Sequence, residues 1–97
     1  MADPAFGIVN RFPGGNEEQY RNAIAVVHPP EGLPEGQLIH AAGQSGDEWV
    51  VIALWDSRES WERFRNETLL PGLQQAEGAF SGPPEESAFA IANFKTG

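Results

Sequence analysis

The order of the predicted elements, β-α-β-β-α-β, indicates an α+β fold of the ferredoxin-like type. Three observations predict it: four short segments have strand periodicity, two amphipathic segments begin with helix caps, and the third strand is apolar on both faces. Right-handed crossovers then give a four-stranded antiparallel sheet with strands one and three central and two helices on one face. The chain has 97 residues, enough for one core, so we expect a single domain over residues 1–97.

The first strand and the first helix are predicted from periodicity and a capping signal. Residues 6–12 alternate between two faces and form strand one. Asn16 is placed to cap the helix that follows, with Gln19 as its partner in a capping box. Pro29-Pro30 ends this helix. Its apolar stripe contains Tyr20, Ala23, Ile24 and Val27.

A hairpin follows a loop rich in proline and glycine. Residues 38–44 form strand two, residues 45–47 a short turn, and residues 48–55 strand three.

The last helix and strand have their own boundary signals. Asp56 or Ser57 caps the second helix, and Glu59 completes a capping box with Asp56. Pro71-Gly72 is expected to break this helix, with a short turn resuming at residues 73–75. Residues 76–84 form a loop, interpreted as a flap over a pocket, and residues 87–94 form strand four.

Strand three predicts a partner subunit. Trp49, Val51, Ala53 and Trp55 point to one face, whereas Val50, Ile52 and Leu54 point to the other. This pattern is typical of a strand that is buried on both sides. One layer of two helices covers only one face of the sheet. The other face would then be a large solvent-exposed hydrophobic patch. We therefore expect a homodimer related by a two-fold axis, with the two sheets packed face to face.

Composition excludes several classes of function. The chain has no cysteine, which excludes a disulfide scaffold, a thiolate zinc site and a cysteine nucleophile. The net charge of −8 makes nucleic acid and anionic membranes unfavourable partners. There is no apolar run of membrane-spanning length, and residues 1–4 do not begin a signal peptide. The expected location is the cytoplasm.

The segment from strand two to the end of the second helix resembles a known family. It comprises residues 40–43 (HAAG), residues 49–64 with WDSRESWERF at their end, and Leu69-Leu70-Pro71. These residues are similar to the dimeric α/β-barrel superfamily, in particular to small antibiotic biosynthesis monooxygenase (ABM)-like proteins. The resemblance covers nearly the whole chain in element order. It implies a pocket in each protomer, between the sheet and its helices.

The superfamily includes cofactor-free oxygenases of aromatic polyketides, haem-degrading enzymes, lactone isomerases and members without known activity. Haem-degrading relatives have an Asn-Arg pair on strand one, which Asn10-Arg11 matches. At the positions of their pocket tryptophan and haem-ligating histidine, however, this chain has Phe64 and Gln74. Because histidine is the usual axial ligand, no cofactor is expected here.

His40 and Asn10 are the candidate catalytic residues. His40 lies in strand two, on the face of Leu38 and Ala42, and an imidazole can accept a proton near neutral pH. The alternative is a histidine that bonds within the sheet or at the dimer interface. Asn10 interrupts an apolar face of strand one and could hold an oxygen of a ligand or of O₂. The alternative is an edge or interface hydrogen bond.

Aromatic side chains are the candidate substrate-binding residues. A planar ligand could stack on them, although their spacing also fits an ordinary core. His28 is interpreted as a charge partner for the C-terminal end of the first helix. The two histidines are expected to lie far apart, so no metal site is predicted. The aromatic candidates are Trp49, Trp55, Trp61, Phe64 and Tyr20, with Phe80 as a further member of the set.

Two hypotheses of function follow. The first is a cofactor-free monooxygenase of a small aromatic or enolic compound, with His40 as the base and Asn10 as the polar orienting group. The alternative is a non-catalytic dimeric barrel that binds a small hydrophobic ligand or has a structural role. A roomy cavity reached by His40 favours the first, whereas a space filled by Trp61 and Phe64 favours the second.

Overall fold

The computed structural model describes residues 5–30 and 32–95. The expectation that residues 1–4 are not part of a signal peptide therefore concerns residues outside the described ones. The elements are β1 (Phe6–Pro13), α1 (Glu17–Val27), β2 (Gln37–Ser45), β3 (Glu48–Trp55), α2 (Arg58–Phe64), a π-helical turn (Arg65–Leu69), α3 (Leu70–Gln75) and β4 (Glu85–Ala90).

The four strands form one antiparallel sheet in the order β2-β3-β1-β4. This order confirms the ferredoxin-like prediction, with β1 and β3 in the centre. In the register of β1 and β3, Phe12 is opposite Trp49 and Ile8 is opposite Ala53. All four of these side chains are buried, because the helices pack on their face of the sheet.

Helix α1 begins as its capping signal predicts. The backbone N–H of Gln19 donates to Asn16 Oδ1 at 2.9 Å, and the N–H of Asn16 donates to Gln19 Oε1 at 3.2 Å. Both N–H groups lack a partner within the helix, and the box supplies one to each. The helix buries Ala23 and Val27 against the sheet.

The second helix begins at Ser57, and the predicted capping box between Asp56 and Glu59 is wrong. The N–H of Ser60 donates to Ser57 Oγ at 3.1 Å. Asp56 directly follows β3, and its N–H donates to the carbonyl of Gly36 at 2.8 Å. The cap therefore falls one residue later, and Glu59 instead pairs with Arg63 on the exposed face at 3.0 Å.

Pro71-Gly72 does not end this helix, contrary to the prediction. In the π-helical turn, the N–H of Leu70 reaches back five residues to the carbonyl of Arg65. Such a turn rearranges the bonding just before Pro71, which has no N–H to donate. Gly72 allows close packing, since a Cβ there would lie 2.5 Å from Val27 Cγ1. The helical path thus continues to Gln75.

Strand β4 is shorter than predicted and begins earlier. It ends at Ala90, and the following N–H of Ile91 donates to the carbonyl of Ala5 at 2.9 Å. Arg65 ties β4 to the helical layer through an ion pair with Glu86 at 3.0 Å. As predicted, residues 76–84 contain no helix or strand.

The two faces of β3 differ as its sequence predicts. Trp55 is fully buried beneath the helices, whereas Ile52 on the opposite face is 44% exposed. On that outer face, Phe89 is 49% exposed and lies across Gly7, where a Cβ would approach its ring to 2.4 Å. The outer face is therefore apolar and open in the single chain. In the described part of the chain, no helix is both long and apolar enough to cross a membrane.

Candidate active site

A cavity lies between the helix-side face of the sheet and the helical layer. It offers about 50 Å³ to the centres of water molecules, and its polar lining comes from α1, β1 and β2. A single water requires roughly 10–15 Å³ by this measure. The polar and histidine side chains that line it are Asn10, Tyr20, His28, Gln37 and His40.

Tyr20, His40 and Gln37 form a chain of hydrogen bonds at the wall of this cavity. The Tyr20 hydroxyl oxygen lies 2.5 Å from His40 Nε2, and His40 Nδ1 lies 2.8 Å from Gln37 Oε1. The amide oxygen of Gln37 can only accept, so His40 Nδ1 carries the proton and donates it. His40 Nε2 is then the acceptor for the Tyr20 hydroxyl. Neutral His40 is thereby held in one tautomer.

A β-bulge creates this arrangement. Residues three apart in a regular strand point to opposite faces, yet Gln37 and His40 face the same cavity. The pairing of β2 with β3 shifts between Gln37 and Ile39, which leaves Leu38 as the extra residue. Leu38 is exposed. The expectation that Leu38 shares the face of His40 is therefore wrong, and Gln37 takes that place.

Burial sets the protonation states of His40 and Tyr20. It lowers the pKa of His40 below the usual range, so the ring is neutral at pH 7. It raises the pKa of Tyr20, an effect that the charge of Arg21 partly offsets. Tyr20 therefore keeps its hydroxyl proton and donates it to the unprotonated Nε2 of His40, which is the combination that a proton transfer from oxygen to nitrogen requires.

His28 lies beside His40, and the prediction that the two histidines are far apart is wrong. Their ring centroids are 4.8 Å apart, in an edge-to-face contact. Burial, and secondarily the charge of His40, lowers the pKa of His28 to about 4. His28 is thus neutral at pH 7 and is not the cationic partner of the helix end that its position suggested. It closes the cavity next to His40 and Phe64.

Asn10 faces the cavity from β1, and its side-chain amide oxygen is buried there. The residue is only 6% exposed, and its Oδ1 has no hydrogen-bond partner among the described residues. The indole N–H groups of Trp55 and Trp61, two further lining residues, are also buried without a partner there. A buried polar group of this kind costs about 1–3 kcal/mol. A ligand with matching polar groups would recover part of this energy.

The aromatic candidates divide into two groups. Trp55, Trp61 and Phe64 pack together, with the ring centroids of Trp55 and Phe64 5.1 Å apart, and all three line the cavity. Tyr20 also lines it. Trp49 is not a lining residue; it packs behind Tyr20 with ring centroids 5.1 Å apart.

The sequence did not predict that Gln37 and His28 line the cavity. Gln37 precedes the predicted strand two, and no sequence signal indicates the bulge that turns it toward the cavity. His28 has the position of a helix-end residue, and its contact with His40 of β2 depends on tertiary packing.

Neither His40 nor Arg11 is placed to hold a haem. Both nitrogens of His40 are engaged, and Arg11 lies on the opposite face from Asn10, where it pairs with Glu48 at 2.8 Å. In the described residues, no group of three histidines or carboxylates is placed to hold a metal ion.

The fold of the chain is shared with a group of solved structures. The chain has the fold of the antibiotic biosynthesis monooxygenases, as the resemblance predicted. It is similar to Rv0793 from Mycobacterium tuberculosis with a TM-score of 0.69 and 16% identity, over 95% of this chain and 99% of that one. No protein-family model and no curated protein sequence matches the chain.

Two similar structures are enzymes by their descriptions. SnoaB from Streptomyces nogalater, a cofactor-independent oxygenase, has a TM-score of 0.63 and 16% identity over 95% of this chain and 97% of that one. A monooxygenase from the gene ActVA-Orf6 of Streptomyces coelicolor, in complex with the ligand Nanaomycin D, has a TM-score of 0.60 and 18% identity. That match covers 97% of this chain and 93% of the other. At these identities the similarity establishes the fold.

Proposed function

We propose that this protein is a homodimeric, cofactor-independent monooxygenase of a small aromatic or enolic compound. His40 is the base, Asn10 orients an oxygen of the substrate or of O₂, and the aromatic side chains hold the planar ring. The observation that carries this proposal is the neutral His40, fixed by Gln37 and hydrogen bonded through Nε2 at the wall of an aromatic cavity. Such a site can remove a proton from an enol or phenol.

The reaction needs no external reductant. Removal of the enol proton gives an anion, which passes one electron to O₂. The radical pair combines to form a C–O bond, and loss of water then breaks the O–O bond and leaves a carbonyl. One anthrone and one O₂ thus give one anthraquinone and one water, and the substrate supplies all four electrons. The low polarity of the aromatic wall suits the uncharged O₂ and a flat ring.

The experiment is oxygen consumption by the full-length protein with anthrone, followed by the appearance of the quinone absorbance. Wild type is compared with His40→Ala and with Arg58→Ala, a control whose side chain pairs with Glu62 on the exposed face of α2 and does not line the cavity. We expect His40→Ala to lose about 10²–10⁴-fold in kcat and Arg58→Ala to retain the wild-type activity. Equal turnover in wild type and His40→Ala would exclude His40 as the base.

The homodimer is proposed from the outer face of the sheet. Ile52 and Phe89 are about half exposed there, and the neighbouring positions of β1 and β3 are also apolar. Burial of apolar surface is worth about 25 cal/mol per Å², so two such faces gain by packing together. A second copy provides the complementary surface through a two-fold axis.

The size of the cavity favours a second candidate function, the non-catalytic binding of a small hydrophobic ligand. With about 50 Å³ open to water centres, the cavity accepts a small hydrophobic ligand as it stands, whereas anthrone enters only if a lining side chain such as Phe80 moves. An anaerobic titration with anthrone, followed by tryptophan fluorescence, separates the two functions. Binding without any oxygen consumption after air is admitted would favour the binding protein.

A further inference from the structure

We infer that Tyr20 is the group that contacts the substrate hydroxyl and passes its own proton to His40, and that Gln37 is the positioning residue that keeps His40 ready to accept it. This inference rests on the proposed function, which by itself names only His40 as the base. It assigns a catalytic role to Tyr20, until now a candidate for substrate binding. It also assigns a role to Gln37, which sequence reasoning did not select.

The first argument is that His40 has no nitrogen left for a substrate. Nε2 lies 2.5 Å from the Tyr20 hydroxyl, and Nδ1 lies 2.8 Å from Gln37 Oε1. An imidazole has only these two positions for hydrogen bonding. Direct attack on a substrate proton would first require the bond to Tyr20 to break. The Tyr20 oxygen, in contrast, has a second lone pair that can accept a proton while its own proton leaves.

The second argument is the placement of Tyr20. Its side chain reaches the cavity from the first turns of α1, and its ring packs on Trp49 with centroids 5.1 Å apart. Trp49 is buried in the cluster that includes Phe12 and Phe80. The phenol is therefore fixed in direction between the cavity and His40. A rigid group of this kind suits proton transfer, which depends on hydrogen-bond geometry.

The proton inventory of the step balances. The hydroxyl proton of the enol or phenol moves to the Tyr20 oxygen, and the original Tyr20 proton moves to His40 Nε2. The products are a substrate anion, a neutral Tyr20 and an imidazolium. Gln37 Oε1 accepts from the Nδ1–H of His40 before and after the transfer. When the water product forms, the imidazolium returns its proton along the same path.

Gln37 acts through His40 and does not touch the reacting atoms. The bulge at Leu38 turns Gln37 toward the face of His40, and the N–H of Gln37 donates to the carbonyl of Pro34 at 3.0 Å. An acceptor at Nδ1 places the proton there and leaves Nε2 free to accept. Without Gln37, the ring could carry its proton on Nε2, and the acceptor for Tyr20 would be lost.

The first test measures the tautomer of His40 and does not depend on catalytic turnover. In the ¹⁵N-labelled full-length protein at pH 7.5, long-range proton–nitrogen spectra should show His40 protonated at Nδ1 and unprotonated at Nε2. In Gln37→Leu, the fraction protonated at Nε2 should rise, whereas Tyr20→Phe should leave the Nδ1 proton in place. A wild-type His40 with its proton on Nε2 would overturn the inference, whether or not the protein oxidises anthrone.

The second test reads the rate with anthrone and O₂. Tyr20→Phe keeps the ring and removes only the hydroxyl, so we expect kcat to fall about 10²–10⁴-fold with little change in KM. Gln37→Leu should lose at least about tenfold. Gln37→Glu should retain activity, because a carboxylate also accepts from Nδ1, and its pH profile should move to higher pH. Thermal unfolding checks that each variant is folded.

The outcomes separate this inference from the proposed function. If Tyr20→Phe keeps the wild-type kcat while His40→Ala is inactive, His40 acts directly and the relay through Tyr20 is wrong. If the wild type does not consume oxygen with any enolic substrate, the proposed function fails, and the tautomer spectra still decide the assignment of Gln37. A purely structural bond between Tyr20 and His40 would lower stability in Tyr20→Phe without lowering kcat.

Discussion

Phe80, from the loop after α3, stacks on Phe12 of β1 with ring centroids 3.7 Å apart and an interplanar angle of 15°. Together with Leu73, Phe80 lines both the internal cavity and an open groove of about 510 Å³ on the surface. Leu73 and Phe80 therefore separate the surface groove from the internal cavity. The loop that carries Phe80 is attached to α1, where Asn22 Nδ2 donates to the carbonyl of Gly78 at 3.0 Å.

Shortening Phe80 should open the cavity to the groove. In Phe80→Ala we expect anthrone, added under nitrogen, to bind faster, because the ring no longer has to swing off Phe12. The lost packing should destabilise the fold by about 3 kcal/mol. Stopped-flow tryptophan fluorescence measures the first effect and urea unfolding the second. Phe80→Leu is the control, which retains most of the side-chain volume. Equal association rates in all three proteins would place the entrance elsewhere.

Replacing Asn10 should increase stability and weaken binding. Its buried Oδ1 lacks a partner among the described residues, and leucine has nearly the same size without the polar atoms. We expect Asn10→Leu to unfold at a free energy about 1 kcal/mol higher and to bind anthrone about tenfold more weakly. Urea unfolding and fluorescence titration measure these values. Asn10→Ala is the control for size and should lose stability. A loss of stability in Asn10→Leu would show that the amide is satisfied in solution.

The sequence predicted the fold well because its signals are local and repeated. The capping residue Asn16 and the two apolar faces of Trp49–Trp55 depend only on near neighbours along the chain or on the period of a strand. The end of the second helix was mispredicted because Pro71-Gly72 is a strong breaker in isolation. The helix continues through Pro71-Gly72 because of the preceding π-helical turn and the packing of Gly72 against Val27. These features depend on the folded structure and not on the local sequence.

The site was predicted only in part. The sequence indicates His40 because its imidazole can accept a proton and Asn10 because it interrupts an apolar face, and both line the cavity. The bulge that brings Gln37 to His40, and the packing that brings His28 there, have no signature in residue order. A bulge shifts every later residue of the strand relative to its partner, so residue spacing alone gave Leu38 the face that Gln37 occupies.

Acidification should destabilise the protein partly through His28. The pKa of His28 is about 4 in the fold, below the usual value of 6.5 for histidine, so the unfolded chain binds more protons between these values. Stability is therefore full above pH 6.5 and falls as the pH drops toward 4. After allowance for its partial solvation, His28 should contribute about 1–2 kcal/mol to this loss. His40, whose pKa is also lowered, acts in the same direction.

The contribution of His28 is measured by urea unfolding at pH 7.5 and pH 4.5. In His28→Gln, the difference between the two pH values should be smaller than in wild type. All other ionisable groups are common to both proteins and cancel in this comparison. An identical pH difference in the two proteins would mean that His28 is solvated and titrates normally in the fold.

Replacing Ser57, the N-cap residue of α2, should destabilise the fold, whereas replacing its neighbour Asp56 should not. Ser57 Oγ accepts the N–H of Ser60, so Ser57→Ala should lower the free energy of unfolding by about 1 kcal/mol. Asp56→Ala is the matched control, because its side chain does not cap the helix, and it should change stability by less than about 0.5 kcal/mol. Chemical denaturation of both variants measures the difference. A larger loss in Asp56→Ala would restore the capping box of Asp56 and Glu59.

A charge on the outer face of the sheet should separate the proposed dimer. Ile52 is 44% exposed in the single chain, and its burial against a second copy is worth about 1.5–3 kcal/mol per subunit. We expect Ile52→Lys to weaken association by at least about 100-fold, because it loses this burial and introduces a charge at the contact. Light scattering at micromolar concentration measures the mass in solution. Val26→Lys is the control, since Val26 is 50% exposed on α1, on the other side of the sheet. A wild type that remains monomeric, or a Val26→Lys variant that dissociates equally, would contradict an interface on this face.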